Sequence, residues 1–268
     1  MIEYSVVIPT YNRTQSLACV MLSLARQTLP YDKWEVIISD DGSNINNLGR
    51  IKKYSELLNF KYVWRLNQNG NGGPPRNLGV QSSAKTSDAV IFVDTDVILD
   101  ENALEAHDRW HKKYPKCVIL GRYDWLKPMV IYEEVLSDRF DDIINEKLTT
   151  ICDGRTGPGT GKDRRWVHEA TKKRNVPQER WALALFGGNV LIPKEAFLAC
   201  GGFDETMIGH GGQDCDLGKT LEKMGVKGIF TDEPMGWHIW HPRDQTAHEK
   251  SVRKNIEYME KKHGRYRS

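Results

Sequence analysis

Four short apolar runs, each closed by a turn rich in acid or glycine, constrain this chain more than any other feature. Ser5-Val-Val-Ile-Pro9 is a continuous apolar run ended by a proline, the pattern of a buried parallel strand. Glu35-Val-Ile-Ile-Ser39 stops at Asp40-Asp41-Gly42-Ser43, and Phe60 to Leu66 runs into the Gly/Pro/Asn cluster from Asn67 to Pro75. Ala89-Val-Ile-Phe-Val93 ends at Asp94-Thr95-Asp96. After the first run, Thr14 reads as a helix cap ahead of Leu17, Val20, Met21 and Leu24 at helical spacing. Such alternation predicts an α/β fold with a mainly parallel central sheet and helices on both faces. Sheets of this kind bind ligands beyond the carboxyl ends of their strands, where the acidic and glycine-rich punctuation falls.

Further along, Glu101–Tyr114 and Ile131–Leu148 read as helices. From Thr149 to Gln178 the pattern collapses into glycine, proline and mixed charge. Between Asp153 and Arg180 eight Lys/Arg face four Asp/Glu, and a loop this long is expected to be either functional or disordered. Order is expected to resume with a strand at Asn189–Ile192, a helix from Lys194 and a second helix over Gln213–Met224. Two strand-like runs follow, Val226–Phe230 and Gly236–Trp240, then an amphipathic helix from about Gln245.

Composition narrows the functional classes. With 268 residues and 39% hydrophobic content the chain can bury a large core, which excludes wholesale disorder. No apolar stretch approaches the roughly 18–20 residues that span a bilayer, and the N-terminus lacks the layout of a signal peptide. A net charge of +2, from 38 Lys+Arg against 36 Asp+Glu, provides no overall field for nucleic acid. Five scattered cysteines without a C-x-x-C pair argue against a zinc ribbon or a disulfide framework and fit a reducing compartment. The expectation is a cytoplasmic protein.

Several motifs fail on inspection. Gly157-Pro-Gly-Thr-Gly-Lys162 misplaces the first glycine of a phosphate loop and has Asp163 where Ser or Thr binds magnesium. Gly70 to Pro75 lacks the last glycine of the dinucleotide fingerprint. His107 and His111 share a helix face without the acid of a metalloprotease, which favours a solvated face.

Others carry chemistry beside a plainer alternative. Asp94 and Asp96 would be costly to place together unless a cation joins them, which suits Mg²⁺ or Mn²⁺, but an acidic strand-end turn has the same sequence. Asp41 could accept the N3–H of a pyrimidine or cap the next helix. Asp214 follows the glycine-rich Gly211-Gly-Gln213, where a fixed carboxylate can take a proton or simply favour the helix dipole. His238 and His241, flanking Ile239-Trp240 before Pro242, could join a carboxylate in a transition-metal shell.

Taken in order, Ser5-Val-Val-Ile-Pro-Thr-Tyr-Asn-Arg13, Glu35 to Ser43, Arg76-Asn-Leu-Gly79 and Phe92-Val-Asp-Thr-Asp96 resemble the family 2 glycosyltransferases of the GT-A fold, a Rossmann-like sheet. Phe186-Gly-Gly188, Gly201-Gly-Phe-Asp204 and Gly209-His-Gly-Gly-Gln-Asp214 resemble the acceptor side of β-1,4-galactosyltransferases. The resemblance runs from about Ser5 to Asp244, with 100–180 poorly matched.

That resemblance implies one GT-A domain over 1–244, with a nucleotide-sugar half (1–100), a flexible loop (149–178), an acceptor and catalytic half (181–244), and a C-terminal helix (245–268). It implies that Pro9, Thr10, Tyr11, Arg13 and Asp41 hold a uridine nucleotide, with Arg76, Asn77, Asp94, Thr95, Gly187 and Gly188 near the donor. Asp94 is expected at the ribose or the metal. Asp96, His238 and His241 are expected to hold Mn²⁺ or Mg²⁺, His238 standing where the galactosyltransferase pattern has Met. Asp214 matches the catalytic base. His210, where relatives carry a sugar-stacking Trp, and Gln213, where they carry Glu, fall at the acceptor or sugar. The implied activity is inverting, metal-dependent transfer from a UDP-sugar to the hydroxyl of an unidentified acceptor. If that acceptor is lipid-linked, the protein sits at the membrane periphery. A nucleotidyltransferase shares the core and the acidic site but needs a glycine-rich basic loop after the first strand, which Thr10-Tyr-Asn-Arg13 is not. A non-catalytic nucleotide-sugar binder would have no use for both a metal shell and Asp214.

Overall fold

A computed structural model describes residues 1–67, 70–126, 131–145, 149–150, 175, 177–179, 181–241 and 245–264. The expected loop over 149–178 falls almost wholly outside the described residues. The first half is strand–helix alternation: β1 (Tyr4–Thr10), α1 (Thr14–Leu24), β2 (Trp34–Asp40), α2 (Asn47–Ile51), β3 (Phe60–Trp64), α3 (Gly73–Gln81) and β4 (Ala89–Val93). Then come β5 (Val97–Leu99), α4 (Ala103–Lys113), β6 (Val118–Leu126), α5 (Glu133–Asn145), β7 (Thr149–Thr150), β8 (Asn189–Pro193), α6 (Lys194–Ala199), α7 (Gln213–Lys223), β9 (Gly228–His238) and α8 (Gln245–His263).

Among the described residues the strands form one sheet ordered β3-β2-β1-β4-β8-β6-β9-β5, with β7 on β6. The first four strands are parallel. β8 runs antiparallel to both β4 and β6, while β6 and β9 are parallel. The chain leaves β1 toward β2 and β3, then returns to place β4 on the other side of β1. That reversal opens a crevice at the carboxyl ends of β1 and β4.

Alternation along the strands divides the core. Val6, Ile8, Val36, Ile38, Ile91 and Val93 face α1, α4 and α5 through Leu17, Leu104 and Leu136. Val7, Ile37, Val90 and Phe92 face the other way, onto Val80 of α3, Phe197 of α6 and Leu217 of α7. Helices therefore cover both faces, and no described helix is long and apolar enough to cross a membrane.

Two expectations are corrected. The strand-like runs around Phe230 and Trp237 are one strand, β9, interrupted by a bulge between the pairs Leu120↔Phe230 and Arg122↔Met235. Asn189 fills that irregularity, donating from Nδ2 to Arg122 O at 2.9 Å and Pro234 O at 2.8 Å. A Cβ on Gly121 would lie 2.7 Å from the same amide nitrogen, so glycine is what lets Asn189 in. His107 and His111 do not form a solvated face either. Both are buried, and His107 Nε2 lies 2.9 Å from Asn189 Oδ1. Helical spacing alone could not show that the β8, β6 and β9 end of the sheet covers that face of α4.

Candidate functional site

Beyond the carboxyl ends of β1 and β2, two loops are laced together. Asp41 N donates to Thr10 O at 2.8 Å, Asn12 N to Ser43 Oγ at 2.8 Å, and Asn44 N to Asn12 Oδ1 at 3.0 Å. Asn12 takes a left-handed φ of 51°, which turns the chain sharply after Tyr11 and leaves that ring exposed. The paired acids divide the work. Asp40 anchors the turn, accepting from Ser43 N, Asn47 Nδ2 and the Tyr62 hydroxyl. Asp41 is ion-paired with Arg65 and accepts from Asn67 Nδ2 at 2.7 Å. Burial pushes the Asp41 carboxyl above its ordinary range, with Arg65 pulling against it. Pro9 and Thr10 end β1, and Thr10 Oγ1 accepts from Thr95 Oγ1 at 3.2 Å, joining the first loop to the acidic turn after β4.

Asp96, His238 and His241 converge. His238 Nε2 lies 3.3 Å from Asp96 Oδ1, and His241 Nε2 lies 3.0 Å from Asp96 Oδ2. One ligand atom from each residue falls within a cluster 4.8 Å across. His238 Nδ1 sits 2.8 Å from Ile239 O, an arrangement that puts the ring proton on Nδ1 and turns the Nε2 lone pair toward Asp96. One carboxylate and two imidazoles, their side chains largely buried, fit a divalent transition ion. Burial alone would raise the Asp96 carboxyl, but His238, His241 and Arg13 outweigh it and hold the group well below the usual range. Arg13 Nη2 reaches His241 Nδ1 at 3.1 Å, tying the first loop to this cluster.

Beside the triad, Arg76 of α3 is ion-paired with Asp94 and donates from Nη1 to Gly72 O at 2.7 Å. Burial opposes the charge of Arg76, while Asp94, Asp214 and Asp96 more than restore it. Burial pushes Asp94 up to about 6, Asp96 and Asp214 adding to the shift and Arg76 opposing it. A Cβ on Gly187 would lie 2.9 Å from Asp214 Oδ1 and 3.0 Å from Arg76 Nε. On Gly188 it would meet Tyr123 Cε1 at 2.9 Å and Asp94 Oδ2 at 3.0 Å. The glycine pair is the bare floor on which Arg76, Asp94 and Asp214 meet.

The other expected residues are distributed differently. Asn77 does not face this cluster with a free amide: it donates to Phe203 O and Glu205 Oε1 and accepts from Phe203 N. Gln213 is folded into its own loop, accepting from Gly211 N at 2.7 Å and donating to Gly209 O. His210 is exposed at the tip of that loop. Asp214 lies in the first turn of α7, after Gly212 at φ 91°. Sequence reasoning missed two aromatic residues of β6. Trp125 stacks on His238 with ring centroids 3.8 Å apart, and Tyr123 packs against His238 and Phe186. The alternation Tyr123-Asp-Trp125 was the available signal, but nothing in the sequence announces that β6 pairs Trp125 with His238.

The switch-point crevice thus holds an acid–histidine cluster beside the Arg76–Asp94 ion pair. Residues 5–197 match glycosyl transferase family 2, and the chain belongs to that family. The match continues through the 100–180 stretch that motifs alone leave unaligned. Residues 168–249 match the N-terminal domain of galactosyltransferase. The chain is similar to validoxylamine A glucosyltransferase of Streptomyces hygroscopicus subsp. jinggangensis, 29% identical over 97% of this chain and 60% of that protein. It is also similar to the poly(ribitol-phosphate) beta-N-acetylglucosaminyltransferase TarP of Staphylococcus aureus, 37% identical over 46% of this chain and 37% of that one. S. aureus TarS 1–349 in complex with UDP-GlcNAc has the same fold, with a TM-score of 0.65 at 17% identity over 94% of this chain and 61% of the other. The fold is GT-A. The chain thus spans about 60% of the length of the glucosyltransferase it matches.

Proposed function

We propose that this chain is an inverting, metal-dependent glycosyltransferase that moves a sugar from a UDP-sugar to an acceptor hydroxyl. The observation that carries the reading is the convergence of Asp96, His238 and His241 beside the Arg76–Asp94–Asp214 cluster. The donor class is supported by relatives named as glucosyl- and N-acetylglucosaminyltransferases and by the complex of TarS with UDP-GlcNAc.

In this reading Tyr11, Thr10 and Asp41 line the base end of the crevice. Asp96, His238 and His241 would hold Mn²⁺ or Mg²⁺, which offsets charge on the departing diphosphate. Imidazole ligands favour Mn²⁺. Arg76 has a buried Nε–H with no acceptor among the described residues, next to Gly187, and an oxygen of the UDP-sugar would accept from it. The bare Gly187–Gly188 floor lets the donor approach Asp214. Asp214 takes the acceptor's proton as the acceptor oxygen bonds to the anomeric carbon. The bond from that carbon to the phosphate oxygen breaks, and its electron pair leaves with UDP. Attack opposite the leaving group inverts the configuration.

A screen of UDP-glucose, UDP-galactose and UDP-N-acetylglucosamine, read as UDP release with Mn²⁺, Mg²⁺ or chelator, tests the reading. Metal-dependent release from at least one donor is expected. Absence of both release and UDP binding under every metal would overturn it.

A further inference from the structure

The C-terminal helix α8 is joined to the loop that carries Asp214 by more than surface contact. Asn255, almost wholly buried, donates from Nδ2 to Ile208 O at 3.1 Å and to Gly211 O at 2.8 Å. One turn on, Met259 packs with Met207 and Cys215, and a Cβ on Gly212 would lie 3.2 Å from Met259 Cε. Another turn on, Lys262 Nζ and His263 Nε2 hold the buried carboxylate of Asp216 at 2.8 and 2.7 Å. These positions recur on one helix face and bracket Asp214 from both sides. Asp216, so enclosed, anchors α8 to α7.

The bracketed loop needs an external brace. Gly209, Gly211 and Gly212 have φ of 67°, 105° and 91°, and glycines in this region have the most conformational freedom to lose. Within the loop, Gln213 joins Gly209 to Gly211. Asn255 fixes the backbone on either side of His210.

We infer that Asn255 is a positioning residue for Asp214, so that α8 is part of the working transferase and not an appendage. This rests on the reading of Asp214 as base. Ordering the 208–212 turn sets where α7 starts, and with it the place of Asp214 over Gly187. A displacement of about 1 Å at such a group can cost about 10²-fold in rate.

Asn255→Asp keeps the shape and replaces both donated hydrogens with acceptors. UDP affinity in Mn²⁺, by calorimetry, should stay within about twofold of wild type, because the triad and base pocket are elsewhere. UDP release from UDP-glucose or UDP-N-acetylglucosamine should fall by about tenfold to 10²-fold. In an Asp214→Asn background the Asn255→Asp change should add nothing, since both act through one carboxylate. Hydrogen exchange at the Gly209–Asp214 amides should accelerate by at least about tenfold, with β1 and β4 unchanged. Asn255→Ser, which retains one hydroxyl donor, should show the same pattern more weakly and serves where Asn255→Asp fails to fold. Unchanged exchange in the loop, or full turnover in a variant whose Asp214→Asn counterpart is inactive, overturns the inference. If Asp214→Asn itself keeps turnover, the base reading fails, and the exchange measurement still decides whether Asn255 orders the loop.

Discussion

Asp96 and His238 meet because two strands pair in one register. β5 starts immediately after Asp96, and its first residue, Val97, lies opposite His238 of antiparallel β9. Ile239 N then donates to Asp96 O at 2.7 Å, closing the backbone so that the imidazole and the carboxylate face each other. The metal-binding proposal is thus built on rigid sheet geometry, with His241 the only member carried on a following turn.

Removing any of the three should therefore weaken metal and donor together. Asp96→Asn, His238→Ala and His241→Ala should each weaken Mn²⁺ binding by at least the roughly 10–100-fold that outer-shell partners alone are worth. Calorimetry with Mn²⁺, then with UDP at fixed Mn²⁺, measures both. A variant that lost UDP affinity but kept Mn²⁺ affinity would remove that residue from the ligand set.

Gly187 offers a way to disturb the reacting groups without touching them. In Gly187→Ala the new methyl would press on Asp214 Oδ1 and on Arg76 Nε and Nη2, at 2.9 to 3.0 Å. Those are ends of side chains and can move, so thermal unfolding should cost no more than the about 1–3 kcal/mol usual for overpacking. UDP release should nonetheless fall by about 10²-fold, because the displaced groups are the ones that must be placed. Wild-type rates in a folded Gly187→Ala protein would show that Asp214 and Arg76 need no close placement there.

The buried histidine of α4 predicts an acid limit to stability. Asn189 donates through its Nδ2 to two carbonyls, so its Oδ1 accepts, and His107 Nε2 carries the ring proton. His107 Nδ1 is buried without a partner among the described residues, and a second proton there would find no acceptor among them. Burial lowers the His107 pKa to about 4, with His111 adding to the shift and Asn189 opposing it. An unfolded histidine titrates near 6.5, so the unfolded chain binds more protons between these values. The contribution is fully present above about pH 6.5 and is lost as pH falls through about 4. His107→Gln, which can still donate to Asn189, should narrow the difference in melting temperature between about pH 7 and about pH 5. An unchanged difference would mean that other groups set the acid limit.

How far the sequence was legible follows from which interactions are local. The first four strands announce themselves through apolar runs and turn chemistry, and Asp94, Asp96 and Asp41 fall at their ends because a parallel sheet leaves few other places. His238 and His241 were legible as candidate ligands from their residue types beside Pro242, but their convergence on Asp96 was not, since a separation of three is not a strand spacing. The stacking of Trp125 on His238 and the burial of His107 against Asn189 depend on β6, β8 and β9 meeting across long separations. No periodicity encodes that. Asn77 and Gln213 read as ligand contacts from their motifs, yet their amides hold neighbouring loops together, because a glycine-rich turn must be fixed by polar groups as well as approached by a ligand.

Proton abstraction by Asp214 is the central claim. The decisive measurement is the rate of UDP release from the active UDP-sugar by Asp214→Asn at saturating Mn²⁺, beside wild type. The amide preserves shape and removes the proton-accepting charge, so the rate should fall by about 10²–10⁴-fold, the usual worth of a positioned base, while UDP and Mn²⁺ affinities stay near wild type. Release at close to the wild-type rate would contradict the assignment of Asp214 as the group that takes the acceptor's proton.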